Sequence, residues 1–170
     1  MNQDWNIRLA DERDVHSLVE FNRAMARETE AKDLDVEVLT AGVEGLLGNP
    51  RHGFYVVAEQ GGLEPDKRVV AASLMVTFEW SDWRNGVFWW IQSVYVKPEF
   101  RRQGVYRALY QFVKSRAAAE RGVRGFRLYV EKENHTAQQT YERLGMTETY
   151  YKMFEELMVN PESSEEREKQ

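Results

Sequence analysis

The sequence predicts an α/β fold from three adjacent features: an apolar run rich in Val and aromatic residues, Val87–Val96; a helical pattern behind a basic glycine loop, Arg101–Gly104; and an alternating segment, Phe126, Leu128 and Val130, after that helix. The first run is apolar on both faces and too short for a solvent-facing amphipathic helix, so it reads as a central strand. Pro98 ends it. From Gly104 onward, Val105, Leu109, Phe112, Val113 and Arg116 recur at helical spacing. A strand, loop, helix, strand unit puts the loop at a helix start, where unpaired N–H groups point outward and Gly104 lets the backbone approach a ligand. Such a place binds phosphate oxygens.

The other elements follow in order. Asn6 to Ala10 is a short first strand, Asp11 an N-cap, and Val15, Leu18, Val19 and Met25 one face of a helix ending at Glu28, Thr29 and Glu30. A second helix covers Val36 to Leu47, burying Val36, Leu39, Val43, Leu46 and Leu47, and Gly48, Asn49 and Pro50 stop it. Phe54 to Glu59 and Val69 to Phe78 are strands of a hairpin joined by QGGLEPDK, and Asn85-Gly86 is a tight turn into the central strand. After Tyr129 comes a helix with Ala137, Tyr141 and Leu144 on one face, Asn134 or Thr136 as cap and Gly145 at its end. Thr147 to Phe154 reads as a last strand. Residues 1–159 form one domain, and the charged, apolar-free stretch Asn160–Gln170 is a disordered tail.

Composition narrows the function. With 170 residues and 42% hydrophobic content, a single sizeable core is expected. A formal net charge of −5 argues against a nucleic-acid or anionic-membrane partner and suits a cationic substrate. Cysteine is absent, which excludes disulfides, thiolate metal sites and an acyl-cysteine route; His16, His52 and His135 are too scattered for a metal site, so no metal is expected. The charged start and the lack of an apolar run long enough to cross a bilayer point to a cytoplasmic protein without a membrane partner.

Two stretches carry a family resemblance. V-Y-V-K-P-E-F-R-R-Q-G-V-Y resembles the acyl-CoA loop of the GNAT superfamily of N-acetyltransferases, whose pattern is Arg or Gln, two residues, Gly, one residue, Gly or Ala. Arg101 and Gly104 match; Tyr106 stands where the family usually keeps a small residue. N-H-T-A-Q-Q-T-Y-E-R-L-G-M resembles the segment in which Asn, Ala and Tyr precede a Gly-Phe pair, with Met146 in place of Phe. The resemblance runs from Trp89 to Met146 and elsewhere rests on element order. It implies a three-layer α/β/α sandwich with a mixed, mostly antiparallel central sheet, open where the central strand and the next one splay apart. It also implies acetyl-CoA as cosubstrate, bound by Val94, Val96, Arg101, Arg102, Gln103, Gly104, Val105 and Tyr106. Asn134 would contact the pantetheine arm, Ala137 would lie on the helix beside CoA, Tyr141 would lie near the sulfur, and the Val94 N–H would meet the carbonyl oxygen.

The chemistry then needs a proton acceptor for the amine and a proton donor for the departing thiolate. Tyr141 is the donor. Related enzymes often place a Glu on the central strand, whereas Trp90 and Gln92 stand on that face here, and neither accepts a proton well. The remaining carboxylates are Glu28, Glu30 and Glu79, with Glu79 the first choice as general base and a solvated surface acid the more frequent use of any one of them. Trp80 and Trp83, in a loop, are candidates to cage an ammonium group beside Gln92, Glu28 and Glu30. The expected function is transfer of an acetyl group from acetyl-CoA to a primary amine, a small cationic one, by direct attack in a ternary complex. A non-catalytic CoA-binding or sensing module is the alternative, favoured by Tyr106 and the missing central-strand Glu. A phosphate-binding nucleotide enzyme is disfavoured, because the loop lacks a Gly-Lys-Ser/Thr ending. A homodimer is left open.

Overall fold

A computed structural model describes residues 5–60 and 68–158. Most of the expected hairpin link and all of the expected tail at Asn160–Gln170 lie outside the described residues. The strands β1 (Asn6–Leu9), β2 (Gly53–Gln60), β3 (Val69–Ser81), β4 (Gly86–Val96) and β5 (Val123–Arg127) form one sheet in that order. All neighbours are antiparallel except β4 and β5, which are parallel because the chain crosses between them through the helix α3 (Val105–Ala119). The sheet is thus mixed and mostly antiparallel, as its sequence implied.

Two helices, α1 (Val15–Glu30) and α2 (Val36–Leu47), cover one face. There Leu18, Val19, Val43 and Leu46 pack on Tyr55 and Val57 of β2. The other face carries an aromatic chain, Phe54 on Trp89, Trp89 on Phe126 and Phe126 on Tyr110 of α3, with ring centroids 5.2, 6.3 and 5.7 Å apart. Alternation along β4 puts Trp89 in this core, 1% exposed, and Trp90 on the α1 face. The Asp35 carboxylate caps α2 by accepting from the N–H groups of Glu37 and Val38, which explains the sharp start; Val36, in the first turn, is 44% exposed rather than buried. The sheet and α1–α3 form one compact unit that runs to Asn134, and a second begins at His135 with α4 (His135–Arg143).

Two expected strands change. β5 ends at Arg127, short of Val130, and Thr147–Phe154 forms no strand. In that stretch Tyr150 and Tyr151, then Met153 and Phe154, are adjacent, so no two-residue alternation directs apolar side chains to one face.

One polar network is buried at the start of the sheet. Arg8 of β1 meets both oxygens of Asp14 (2.6 and 2.8 Å) and donates from Nε to Glu59 of β2 (2.8 Å), while Asn6 donates to the other Glu59 oxygen (2.8 Å). Asp14 also accepts from the Asp11 N–H, closing a capping box with Asp11 ahead of α1. Asp14 and Glu59 are only 2% and 6% exposed. Gly53, at φ 148, opens β2 so close to β3 that a Cβ there would lie 1.9 Å from the Val76 carbonyl oxygen. Gly53→Ala is expected to cost at least ~2 kcal/mol, since both groups are backbone and neither can step aside. Chemical denaturation checks it; an unchanged midpoint would show that the strand start is free to shift.

Candidate active site

β4 ends at Val96, a short 3-10 turn follows at Pro98–Phe100, and α3 begins at Val105. Arg102 (φ 63) and Gly104 (φ 79) are both left-handed, and they turn the chain into α3, whose first N–H groups lack partners within the helix. A Cβ at Gly104 would meet nothing within 4 Å, so the backbone is open on that side. The loop is braced from outside. The Lys97 N–H donates to Ala71 (2.9 Å), and Trp5 lies edge-on to Phe100 (5.8 Å) while donating from Nε1 to the Gln103 carbonyl (3.4 Å). Sequence reasoning missed Trp5; a large aromatic just ahead of the first strand was the available signal. Tyr106 stacks along the helix on Tyr110, four residues on, at 6.1 Å and 11°. Val105 is buried under the loop.

Just before the loop, β4 carries a bulge. Met75 pairs with Gln92 and Ser73 with Tyr95, so Ser93 and Val94 together face the single residue Leu74, and Ser93 takes a left-handed φ of 47. A bulge of this kind takes backbone groups out of the ladder and re-aims the next side chain. On its other side β4 pairs with β5 only as far as Trp90 with Arg127, leaving Ile91–Val96 without a β5 partner. The strands therefore part where the bulge sits, next to the loop.

The expected acceptor residues separate into three places. Glu28, at the end of α1, is the carboxylate beside the bulge: it accepts from the Tyr95 hydroxyl (3.1 Å) and from Arg101 (2.6 Å). Burial and the neighbouring Glu28 both push the Tyr95 hydroxyl above its ordinary value. Gln92 lies nearby with its amide fixed, donating to Thr77 (2.6 Å) and accepting from Tyr129 (3.3 Å). Glu30 forms an exposed pair with Lys32 (2.6 Å). Glu79 is elsewhere: it sits opposite Phe88, roughly 20 Å of strand from Val94, where it accepts from Trp90 and from Arg127 (2.5 Å), whose guanidinium covers Phe88 at 4.0 Å. Its carboxylate is held by these two donors, as that of Glu28 is held by Tyr95 and Arg101, and Glu28 is the nearer of the two to the bulge. Trp80 and Trp83 are also displaced. They are 63% and 86% exposed at the β3–β4 turn, the opposite end of β4 from the loop.

The second unit begins with α4. Ala137 and Tyr141 are four positions apart and share a helix face; Gly145 (φ 90) ends the turn, with the Met146 N–H bonded to the Tyr141 carbonyl (3.0 Å). Asn134 directly precedes the helix. Burial raises the Tyr141 hydroxyl above the ordinary tyrosine value, so it holds its proton at neutral pH. Among the described residues no group of His, Asp or Glu is arranged to hold a metal ion, and no helix is long and apolar enough to cross a membrane.

A family model described as acetyltransferase (GNAT) family matches residues 15–146. A possible acetyltransferase from Clostridium difficile 630 is 46% identical over 92% of this chain and 99% of its own, with a TM-score of 0.81. Two more distant structures share the fold. One is a predicted acetyltransferase with acetyl-CoA from Clostridium acetobutylicum (21% identity, 94% and 98% of the two chains, TM-score 0.69). The other is glucosamine-6-phosphate N-acetyltransferase from Arabidopsis thaliana (20%, 91% and 99%, TM-score 0.68). No curated protein matches. The open backbone at Gly104, the free helix start behind it and the parted strands at the bulge fit a phosphate-bearing thioester laid between β4 and β5. The match over most of its length and the 46% identical neighbour place this chain in the GNAT acetyltransferase family, as an acetyl-CoA-dependent acyltransferase.

Proposed function

We propose that the enzyme acetylates a primary amine, a small cationic one, by direct attack within a ternary complex. The observation that carries this reading is the conjunction at the end of β4: a bulge at Ser93–Val94, an open loop after it and the Glu28 carboxylate beside both. Acetyl-CoA supplies an activated thioester when bound. Val96, Arg102, Gln103, Gly104, Val105 and Tyr106 line its loop, and the Val94 N–H is the donor for the carbonyl oxygen, where a fixed backbone dipole is worth most in a water-poor cleft. Asn134 and Ala137 serve the pantetheine arm, and Tyr141 gives its proton to the leaving sulfur. Glu28 anchors the ammonium and, directly or through a water, takes its proton; Gln92 cannot, because an amide is no base at neutral pH. The net charge of −5 supports a cationic acceptor and no nucleic-acid partner.

Release of free CoA thiol with a panel of primary amines tests the reading. Turnover with cationic amines ahead of neutral ones is expected, and no thiol release with any amine would sink it. The cofactor half is separable. Acetyl-CoA should raise the melting temperature by mass action, and Gly104→Val should abolish that rise, because a side chain enters the open side of the loop. The variant should still fold, since one left-handed β-branched residue costs about 1–2 kcal/mol. An unchanged rise would remove the loop from the site.

A further inference from the structure

The two loop arginines are held differently. Arg101 donates from Nε to the Val96 carbonyl (2.9 Å) and from Nη2 to Glu28 (2.6 Å), and its guanidinium lies 5.6 Å from the Tyr95 ring centroid. Tyr95 closes the set: its hydroxyl donates to the other Glu28 oxygen (3.1 Å) and its ring packs on Phe21 of α1 (5.3 Å). Arg102, exposed beside it on a left-handed backbone, makes no such bonds to the described residues. A phosphate could draw Arg101 away only by breaking two hydrogen bonds, one of them charge-assisted, and stripping Glu28 of its countercharge.

From this closed set we propose that Arg101 is a positioning residue for the acceptor side, tying the loop to the end of α1 and holding one oxygen of Glu28, while Arg102 is the loop cation that faces the cofactor phosphates. The proposal rests on the reading of Glu28 as the acceptor carboxylate for its functional meaning, but not for its geometry. It accounts for a planar, forked side chain at this position: one guanidinium reaches a strand carbonyl and a helix carboxylate at once, which a lysine cannot do. It also means that an acceptor ammonium shares Glu28 with a resident cation, so the pocket is less acidic than Glu28 alone would make it.

Calorimetric titration of the full-length protein with CoA separates the two arginines without requiring turnover or a known acceptor. Arg102→Gln is expected to weaken CoA binding about tenfold or more, the scale of one charge-assisted contact, whereas Arg101→Gln shifts it less than threefold. In melting experiments, Arg101→Gln and Glu28→Gln should each lower Tm by about 2–4 °C, and the double variant by no more than either alone, because both remove one tie. Arg101→Lys should recover part of that loss and leave CoA affinity as in the parent, since its ammonium still meets Glu28 but not Val96 as well. Equal losses of CoA affinity in the Arg101 and Arg102 variants would overturn the proposal, as would additive melting shifts for Arg101→Gln and Glu28→Gln. If CoA fails to bind the parent protein at all, the cofactor reading of the loop falls and the Arg102 assignment with it, while the melting cycle still decides whether Arg101 and Glu28 act as one tie.

Discussion

Tyr141→Phe is expected to lower kcat by about 10² to 10⁴-fold while leaving acetyl-CoA affinity and melting temperature nearly unchanged. The substitution keeps the ring and its packing and removes the hydroxyl proton proposed for the departing thiolate. Burial holds the hydroxyl above its ordinary value, so at neutral pH essentially every molecule carries the proton. The sign of the pH dependence follows. Wild-type kcat should stay level through neutral pH and fall only above the ordinary tyrosine value of about 10, as the donor is lost; the Phe variant should lack that alkaline limb. Steady-state thiol release at saturating amine, with CoA titration beside it, checks the expectation. Retention of wild-type kcat would make Tyr141 a packing residue with solvent protonating the sulfur, and loss of CoA binding would make its hydroxyl a cofactor contact instead.

Arg8→Met should destabilise the protein by about 3–5 kcal/mol, the typical cost of removing one partner from a buried ion pair. It leaves Asp14 and Glu59, both almost wholly buried, without the guanidinium that neutralises them. Burial by itself would raise the Glu59 carboxyl; the hydrogen bonds from Arg8 and Asn6 and the charges of Arg8 and Arg68 outweigh it and hold the group below its ordinary value. In the wild type, the stability that Glu59 contributes is therefore complete above the ordinary carboxylate range near pH ~4 and is lost as pH falls through the lowered value. In Arg8→Met the balance inverts, because burial now dominates and the folded state binds the proton more tightly than the unfolded one. The variant should gain stability relative to the wild type between pH 7 and pH 5. Denaturant melts at the two pH values measure this; a difference that is small at pH 7, or that grows on acidification, would mean that the acids are satisfied without Arg8.

Much of the architecture was legible because it is local. Asp11 caps the helical turn ahead of α1 as its residue type suggests, Gly104 and Gly145 take the left-handed conformations that begin and end helices, and the apolar run of β4 lies between two covered faces. These depend on interactions within a few residues, which periodicity and cap chemistry report directly. The loop pattern and the Asn134–Met146 segment carried the family for the same reason. What tertiary structure alone decided was which distant residues meet. Glu28 reaches Arg101 across 73 positions and Arg8 reaches Glu59 across 51, and nothing local to either predicts the pairing. Glu79 ranked first as base by sequence, and only the β3–β4 register revealed that its carboxylate meets Trp90 and Arg127. The bulge shows the physical reason most clearly. Trp89 and Ile91 lie buried on the α3 side of β4, and strict alternation would send Tyr95 there too; the one extra residue at Ser93–Val94 reverses the parity and turns Tyr95 toward Phe21 and Glu28 of α1. Alternation is written in the chain, but the place where it slips is set by how β4 must pair with β3.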